Sequence, residues 1–242
     1  HTRFRNVTGV QTCALPIWAA PGVITRIADA YARTTLALRL PFAGGFATMP
    51  AVEDIPLVAR RATRAKTEVR RTLGLPDDPP VVLASFGGFG LPLPAATLAE
   101  ERRLTTVVTD VEIPRPLAGS LGDALRQHTY QDLQARGLGY PDLVAAADVV
   151  VTKPGYGIVS ECIANGTALL YASHGGFVEQ TVLLEAMPRF LRTAPIAEDA
   201  LRAGHWADAV EAVLAQPAPL ERLAIDGAET AARRILEVAD AR

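Results

Sequence analysis

The sequence predicts an α/β fold, a Rossmann-like parallel sheet with helices on both faces. Three observations predict it. Short continuous apolar runs, such as VVLAS and VVVT, read as strands buried on both sides, as parallel strands are. These runs alternate with segments of helical spacing, which implies crossover connections. Several of them end in glycine-rich turns that open a helix, the corner at which open parallel sheets bind their ligands.

Taken in order, Pro21 to Arg33 carries Val23, Ile24, Ile27, Ala28 and Tyr31 at helical spacing behind a proline, and predicts a helix. Thr34 to Leu40 reads as a strand that stops at Pro41, and Phe42 to Pro56, rich in proline and glycine, as a loop or linker. Thr63 to Leu73 predicts a charged helix ended by Gly74 and Pro76. Pro80 to Phe86 and Leu104 to Thr109 predict strands. Leu121 to Arg136 reads as one helix or as a helix followed by a short strand. Pro141 to Ala147 predicts a short helix, Asp148 to Thr152 a strand, and Gly157 to Ala164 a helix closed by Asn165-Gly166 in a left-handed cap. Thr167 to Ala172 predicts a further strand and Phe177 to Met187 a helix ended by Pro188. Ala197 to Ala203, Trp206 to Gln216 and Gly227 to Val238 predict a helical end.

Composition narrows the function classes. Of 242 residues, 49% are hydrophobic, enough to bury a substantial core, and the formal net charge is -2 with no long run of one sign. That speaks against a dedicated nucleic-acid or membrane-surface protein. No uninterrupted apolar run reaches the roughly 18–20 residues of a membrane helix. The cysteines form neither a disulfide framework nor a metal-ligand spacing, so a cytoplasmic setting and no metal or other cofactor are expected. The first residues stand apart. Val7 to Ile17 reads VTGVQTCALPI, which resembles the translation of a sequencing-library adapter, and residues 1–17 are expected to be foreign to the fold.

Three corners carry candidate chemistry. In VVVTKPGYGIVSE, a strand meets a turn and a helix. Helix N-terminal N–H groups there suit a diphosphate, and Gly155 and Gly157 leave room for close backbone approach. Lys153 can reach a phosphate as a point charge. Ser160 either caps the turn or meets the ligand. Glu161 either accepts the two hydroxyls of a ribose or complements the helix dipole. In SHGGFVEQ, Gly175 and Gly176 permit a loop near the ligand, Glu179 and Gln180 either hydrogen-bond sugar hydroxyls or cap the next helix, and His174 is a phosphate or sugar contact or an incidental loop residue. In SFGGFG, Gly87 and Gly88 follow a strand without completing a nucleotide-binding glycine motif.

Together these corners resemble the C-terminal lobe of GT-B glycosyltransferases, near the branch that adds N-acetylglucosamine to the peptidoglycan lipid precursor. RLPFAGGFATMPAVEDIPLVARR, VRRTLGLPDD, VVLASFGG, PDLVAAADVVVTKPGYGIVSE and the GHW triplet are also similar, in the same order, to the glycosyltransferase-like N-terminal region of plant L-arabinokinases. The resemblance implies a C-terminal GT-B lobe over residues 58–238, with residues 18–57 as the remnant of a mostly missing N-terminal lobe and its linker. It implies a nucleotide-sugar donor of the UDP type as partner and substrate, an acceptor it does not identify, and transfer with inversion without a metal. Glu161 would hold the ribose, the glycine loops would surround the diphosphate, Glu179 and Gln180 would face the sugar, and Arg60 would stand near a donor phosphate. SHGGFVEQ departs from the glutamine-rich loop of the peptidoglycan branch, and no sugar-kinase motif occurs. A nucleotide-sugar sensor without catalysis and a nucleotide-sugar epimerase are the competing expectations.

Overall fold

The computed structural model describes residues 21–86, 93–109, 122–172 and 178–240, with the side chains of Pro21, Val178 and Glu179 left aside. Residues 1–17, set apart above, lie outside them. The chain forms two compact units, His1–Ile55 and Pro56–Arg242.

In the first unit, helix α1 (Pro21–Tyr31) precedes two strands, β1 (Ala37–Arg39) and β2 (Val52–Asp54), which pair in parallel. The expected loop from Phe42 to Pro56 therefore contains a strand. Its three residues alternate exposed and half-buried, so no apolar run marks it, and the pairing is fixed instead by a forked ion pair between Arg39 and Asp54.

In the second unit, six strands form one parallel sheet: β3 (Val81–Ser85), β4 (Thr105–Val108), β5 (Leu125–Gln127), β6 (Val149–Thr152), β7 (Ala168–Tyr171) and β8 (Thr193–Pro195), in the spatial order β5-β4-β3-β6-β7-β8. Numbered within this unit, that order is 3-2-1-4-5-6, the doubly wound order of Rossmann-like sheets. Successive strands are added in one direction from β3 to β5 and in the other from β6 to β8, so the sheet has its topological switch point between β3 and β6.

Side-chain alternation explains why both faces are covered. Val82, Ala84, Val108, Val149, Val151 and Leu170 pack in one cluster with Leu98, Leu201, Trp206, Val210 and Val213. The helices on that face are α3 (Ala95–Glu100), α8 (Glu198–Ala203) and α9 (Ala207–Leu214). Trp206 is fully buried, and its indole N–H donates to the Leu201 carbonyl at 3.1 Å, which satisfies the one polar atom it takes inside. Across the sheet lie α2 (Lys66–Leu73), α5 (Tyr140–Ala146) and α6 (Tyr156–Asn165), with Val69, Leu143, Val144 and Val159 buried. Helix α4 (Tyr130–Ala135) follows β5; α7 (Val178–Ala186) runs into a 3-10 turn (Met187–Arg189); α10 (Gly227–Asp240) ends the description.

Two corrections concern elements near the site. Leu121 to Arg136 holds a strand followed by a helix, the reverse of the expected order. Thr129 caps α4 through a reciprocal pair of bonds with Asp132, so the helix cannot start earlier. Helix α6 begins at Tyr156, one residue before the expected start, and Glu161 sits in its second turn, away from the N-terminal N–H groups. The expected left-handed caps are present: Gly74 has φ 67° and Gly166 φ 71°.

Segment 56–65 forms a strap. At its start the Leu57 amide donates to the Ala224 carbonyl, and the Gly227 amide to the Leu57 carbonyl. Further on, the Asn165 side chain accepts from the Ala62 amide at 2.8 Å and donates to the Arg60 carbonyl at 3.1 Å. Asp142, 2% exposed, accepts from the amides of Thr63 at 2.6 Å, Arg64 at 3.1 Å and Gly139 at 2.7 Å. The strap is thus pinned to α5 and α6 by two side chains that spacing arguments do not single out.

Candidate functional site

The site is built at the carboxyl ends of β3, β6 and β7. Because β6 and β7 pair in parallel with Thr152 opposite Tyr171, their carboxyl ends lie side by side at the same end of the sheet. Adjacent strands stand about 4.8 Å apart, so three strand ends span on the order of 10 Å, room for a diphosphate.

At the switch point β3 and β6 are held in register beyond their backbone bonds. The Thr152 hydroxyl, buried, donates to the Ser85 carbonyl at 2.5 Å. The Ser85 hydroxyl meets the Tyr140 hydroxyl at 2.5 Å. Burial, only partly offset by that bond, pushes the Tyr140 phenol well above its ordinary range, so it stays protonated. The Tyr130 ring lies 5.8 Å from that of Tyr140, tilted by 37°. Ser85, Tyr140 and Thr152 were absent from the sequence-derived candidates. The signal available was weak: a serine and a threonine each ending a buried strand.

Lys153 follows β6 directly. Gly155 is the N-cap of α6, with no side chain to close the turn, and a Cβ added at Gly155 or Gly157 would meet nothing within 4 Å. Both glycines therefore face open space, where a ligand's phosphates can approach the helix N-terminus. Burial raises the Tyr156 phenol to about 12.

Ser160 and Glu161 point elsewhere than into that open turn. The Ser160 hydroxyl donates back to the Gly157 carbonyl at 2.9 Å, and the side chain is buried. The Glu161 side chain is only 7% exposed, and it is paired with Arg60, whose Nε donates to Oε1 at 2.6 Å. Two candidates distant in sequence are brought into contact. In the second helical turn the dipole contributes little; the arginine is the partner that compensates this carboxylate. The next residue, Cys162, is a buried free thiol whose pKa is pushed far up by burial and by the neighbouring Glu161 charge. It is inert as a nucleophile.

Gln180 is buried within α7. Glu179 lies in the same helix, but its side chain is outside the description, as are Gly87, Gly88, His174, Gly175 and Gly176. Among the described residues, no group of His, Cys, Asp or Glu could hold a metal ion, and no helix is long and apolar enough to cross a membrane.

The comparisons with known proteins follow the same line. No family model matches the chain. Over 228 residues the chain is 28% identical to L-arabinokinase of Arabidopsis thaliana, a match covering 90% of this chain and 20% of that protein. Among solved structures, two glycosyltransferases are similar to part of the chain. The calicheamicin glycosyltransferase CalG4 matches at 21% identity and a TM-score of 0.43, over 58% of this chain and 37% of that one. The glycosyltransferase SnogD from Streptomyces nogalater matches at 16% identity and a TM-score of 0.44, over 81% of this chain and 52% of that one. The fold assignment itself rests on the strand order of the sheet. The chain spans a fifth of the length of the curated relative and, for these two transferases, 37% and 52% of the solved chain.

Proposed function

We propose that this chain supplies the donor-binding lobe of a glycosyltransferase-like protein and takes a nucleotide-sugar, of the UDP type, at the carboxyl ends of β3, β6 and β7. One observation carries the reading. The sheet's switch point falls between β3 and β6, and the residues that follow β6 there are a lysine and a Gly-Tyr-Gly helix start open to solvent. The diphosphate lies against the α6 N-terminus and Lys153, and Glu161 accepts the ribose hydroxyls. During transfer, negative charge grows on the leaving diphosphate. The helix N-terminus and Lys153 stabilise it by fixed dipole and charge, without reorganisation at the moment of reaction. The acceptor and the general base belong to the remainder of the protein.

The test is a titration of UDP and of 2′-deoxy-UDP into the wild-type chain and into Glu161→Ala, followed by calorimetry. Wild type prefers UDP by about 1–3 kcal/mol, the worth of hydrogen bonds to a charged acceptor, and the variant loses that preference. Equal preference in both proteins removes Glu161 from the site. No heat with UDP at all removes the reading.

A further inference from the structure

We propose that Arg60 makes this site answer to nucleoside diphosphates and not to nucleosides, by occupying the Glu161 carboxylate until a ligand's phosphates draw it away. The inference rests on the reading of Glu161 given above. Its starting point is the asymmetry of the pair: the Glu161 side chain is 7% exposed and that of Arg60 is 67% exposed. The acid is fixed in the protein and the guanidinium lies on it from outside, so the arginine is the removable partner.

The strap allows that motion without moving itself. The Arg60 carbonyl is held by Asn165, the Ala62 amide by Asn165, and the Thr63 and Arg64 amides by Asp142. With the backbone pinned on both sides of its neighbours, only the arginine side chain needs to swing. Glu161 lies five residues beyond Tyr156 on α6. At 1.5 Å per residue that is about 7.5 Å from the helix start, within the sweep of an arginine side chain.

Charge balance then decides which ligands enter. A nucleoside offers neutral hydroxyls. To bind Glu161 it must displace a guanidinium that holds Oε1 through both Nε and Nη2, and leave a buried carboxylate compensated only by dipoles, which is unfavourable. A nucleoside diphosphate brings its own negative charge to the adjacent helix N-terminus. The released guanidinium transfers to that charge, where it again makes charge-assisted bonds. One ion pair is exchanged for another, and the ribose gains the carboxylate. Among the described residues Arg60 is the cation paired with the Glu161 carboxylate; Asn165 donates to the Glu161 backbone carbonyl at 2.8 Å and leaves the carboxylate alone.

The experiment is calorimetry of UDP and of uridine with the wild-type chain, Arg60→Met and Arg60→Lys, each checked for an intact thermal transition. Wild type binds UDP and discriminates strongly against uridine. Arg60→Met binds uridine about 10-fold more tightly and UDP about 10-fold less tightly, so the UDP-to-uridine ratio falls by about 100-fold, in keeping with a charge-assisted pair. Arg60→Lys keeps a charge but loses the pair of planar donors, and its ratio falls by a smaller factor in the same direction. An unchanged ratio in a folded variant, with UDP still bound by wild type, overturns the exchange and makes Arg60 a brace of the strap. Loss of the folded state in Arg60→Met leaves the lysine variant to decide by the same ratio. Failure of wild type to bind UDP overturns the donor site and the exchange with it.

Discussion

Replacing Asp142 tests how the strap is held. This carboxylate is 2% exposed and accepts from the backbone amides of Thr63, Arg64 and Gly139, with a further bond from the Thr63 hydroxyl. A hydrogen bond to a charged group is worth about 1.5–3 kcal/mol, and an orphaned buried donor costs a similar amount. Water can reach Thr63 and Arg64, which are exposed, so part of the loss is recovered. Asp142→Ala is therefore expected to cost about 3–5 kcal/mol of unfolding free energy. Asp142→Asn keeps one acceptor oxygen for Thr63 and Arg64 but turns an amide donor toward the Gly139 N–H. It is expected to cost about 2 kcal/mol. Urea unfolding measures both, read from the midpoint at unchanged m. A loss below about 1 kcal/mol for Asp142→Ala would refute the claim that this side chain fastens the strap to α5.

Three further outcomes are expected. Gly157→Ala raises stability by up to about 1 kcal/mol, because an alanine replaces a helical glycine where a Cβ meets nothing, yet it weakens UDP binding if the ligand uses that space; denaturation and calorimetry on one sample check both. Gly227→Ala destabilises by about 3 kcal/mol or more, since its Cβ would fall 2.1 Å from the Pro56 carbonyl oxygen and force the start of α10 off the strap; a wild-type melting temperature would contradict this. His128 is buried and its pKa is depressed by burial and by Arg136, so the folded state resists protonation that the unfolded chain accepts. Stability is then full above the ordinary histidine pKa of about 6.5 and declines as pH falls toward the depressed folded value, and His128→Gln flattens that slope in unfolding measured from pH 7 to 5.

The sheet was legible because its strands are apolar runs: Val81 to Ala84 and Val149 to Val151 are all essentially buried, and such runs leave little room for another reading. The helices around them were legible from caps, as Gly74 and Gly166 show. Strands without an apolar run were not. Val52-Glu53-Asp54 is mostly polar, Thr193-Ala194-Pro195 ends in a proline at the sheet edge, and Leu125-Arg126-Gln127 has one buried apolar residue; each pairs because a neighbour presents an open edge. Of the candidate site, Lys153 and the two glycines could be singled out from the sequence because a strand-turn-helix corner is local in it. The Arg60 pair with Glu161, and the anchoring of the strap by Asp142 and Asn165, join residues about a hundred and about eighty positions apart, and single-sequence periodicity carries no such information. Ser85 and Tyr140 belong to the same class: their contact depends on α5 docking beside β3.

The most direct measurement of the central claim is amide hydrogen exchange of the whole chain with and without saturating UDP. A cavity of about 420 Å³, lined by Gly74, Asp78, Glu101, Thr105 and Arg126, lies at the opposite, amino end of the strands and serves as an internal control. The account predicts slower exchange on UDP addition at residues 153–158, on the helix start after β6, and no change at 74–79 and 101–105. Protection confined to the amino-end cavity, or none at 153–158 while UDP is bound, would contradict it.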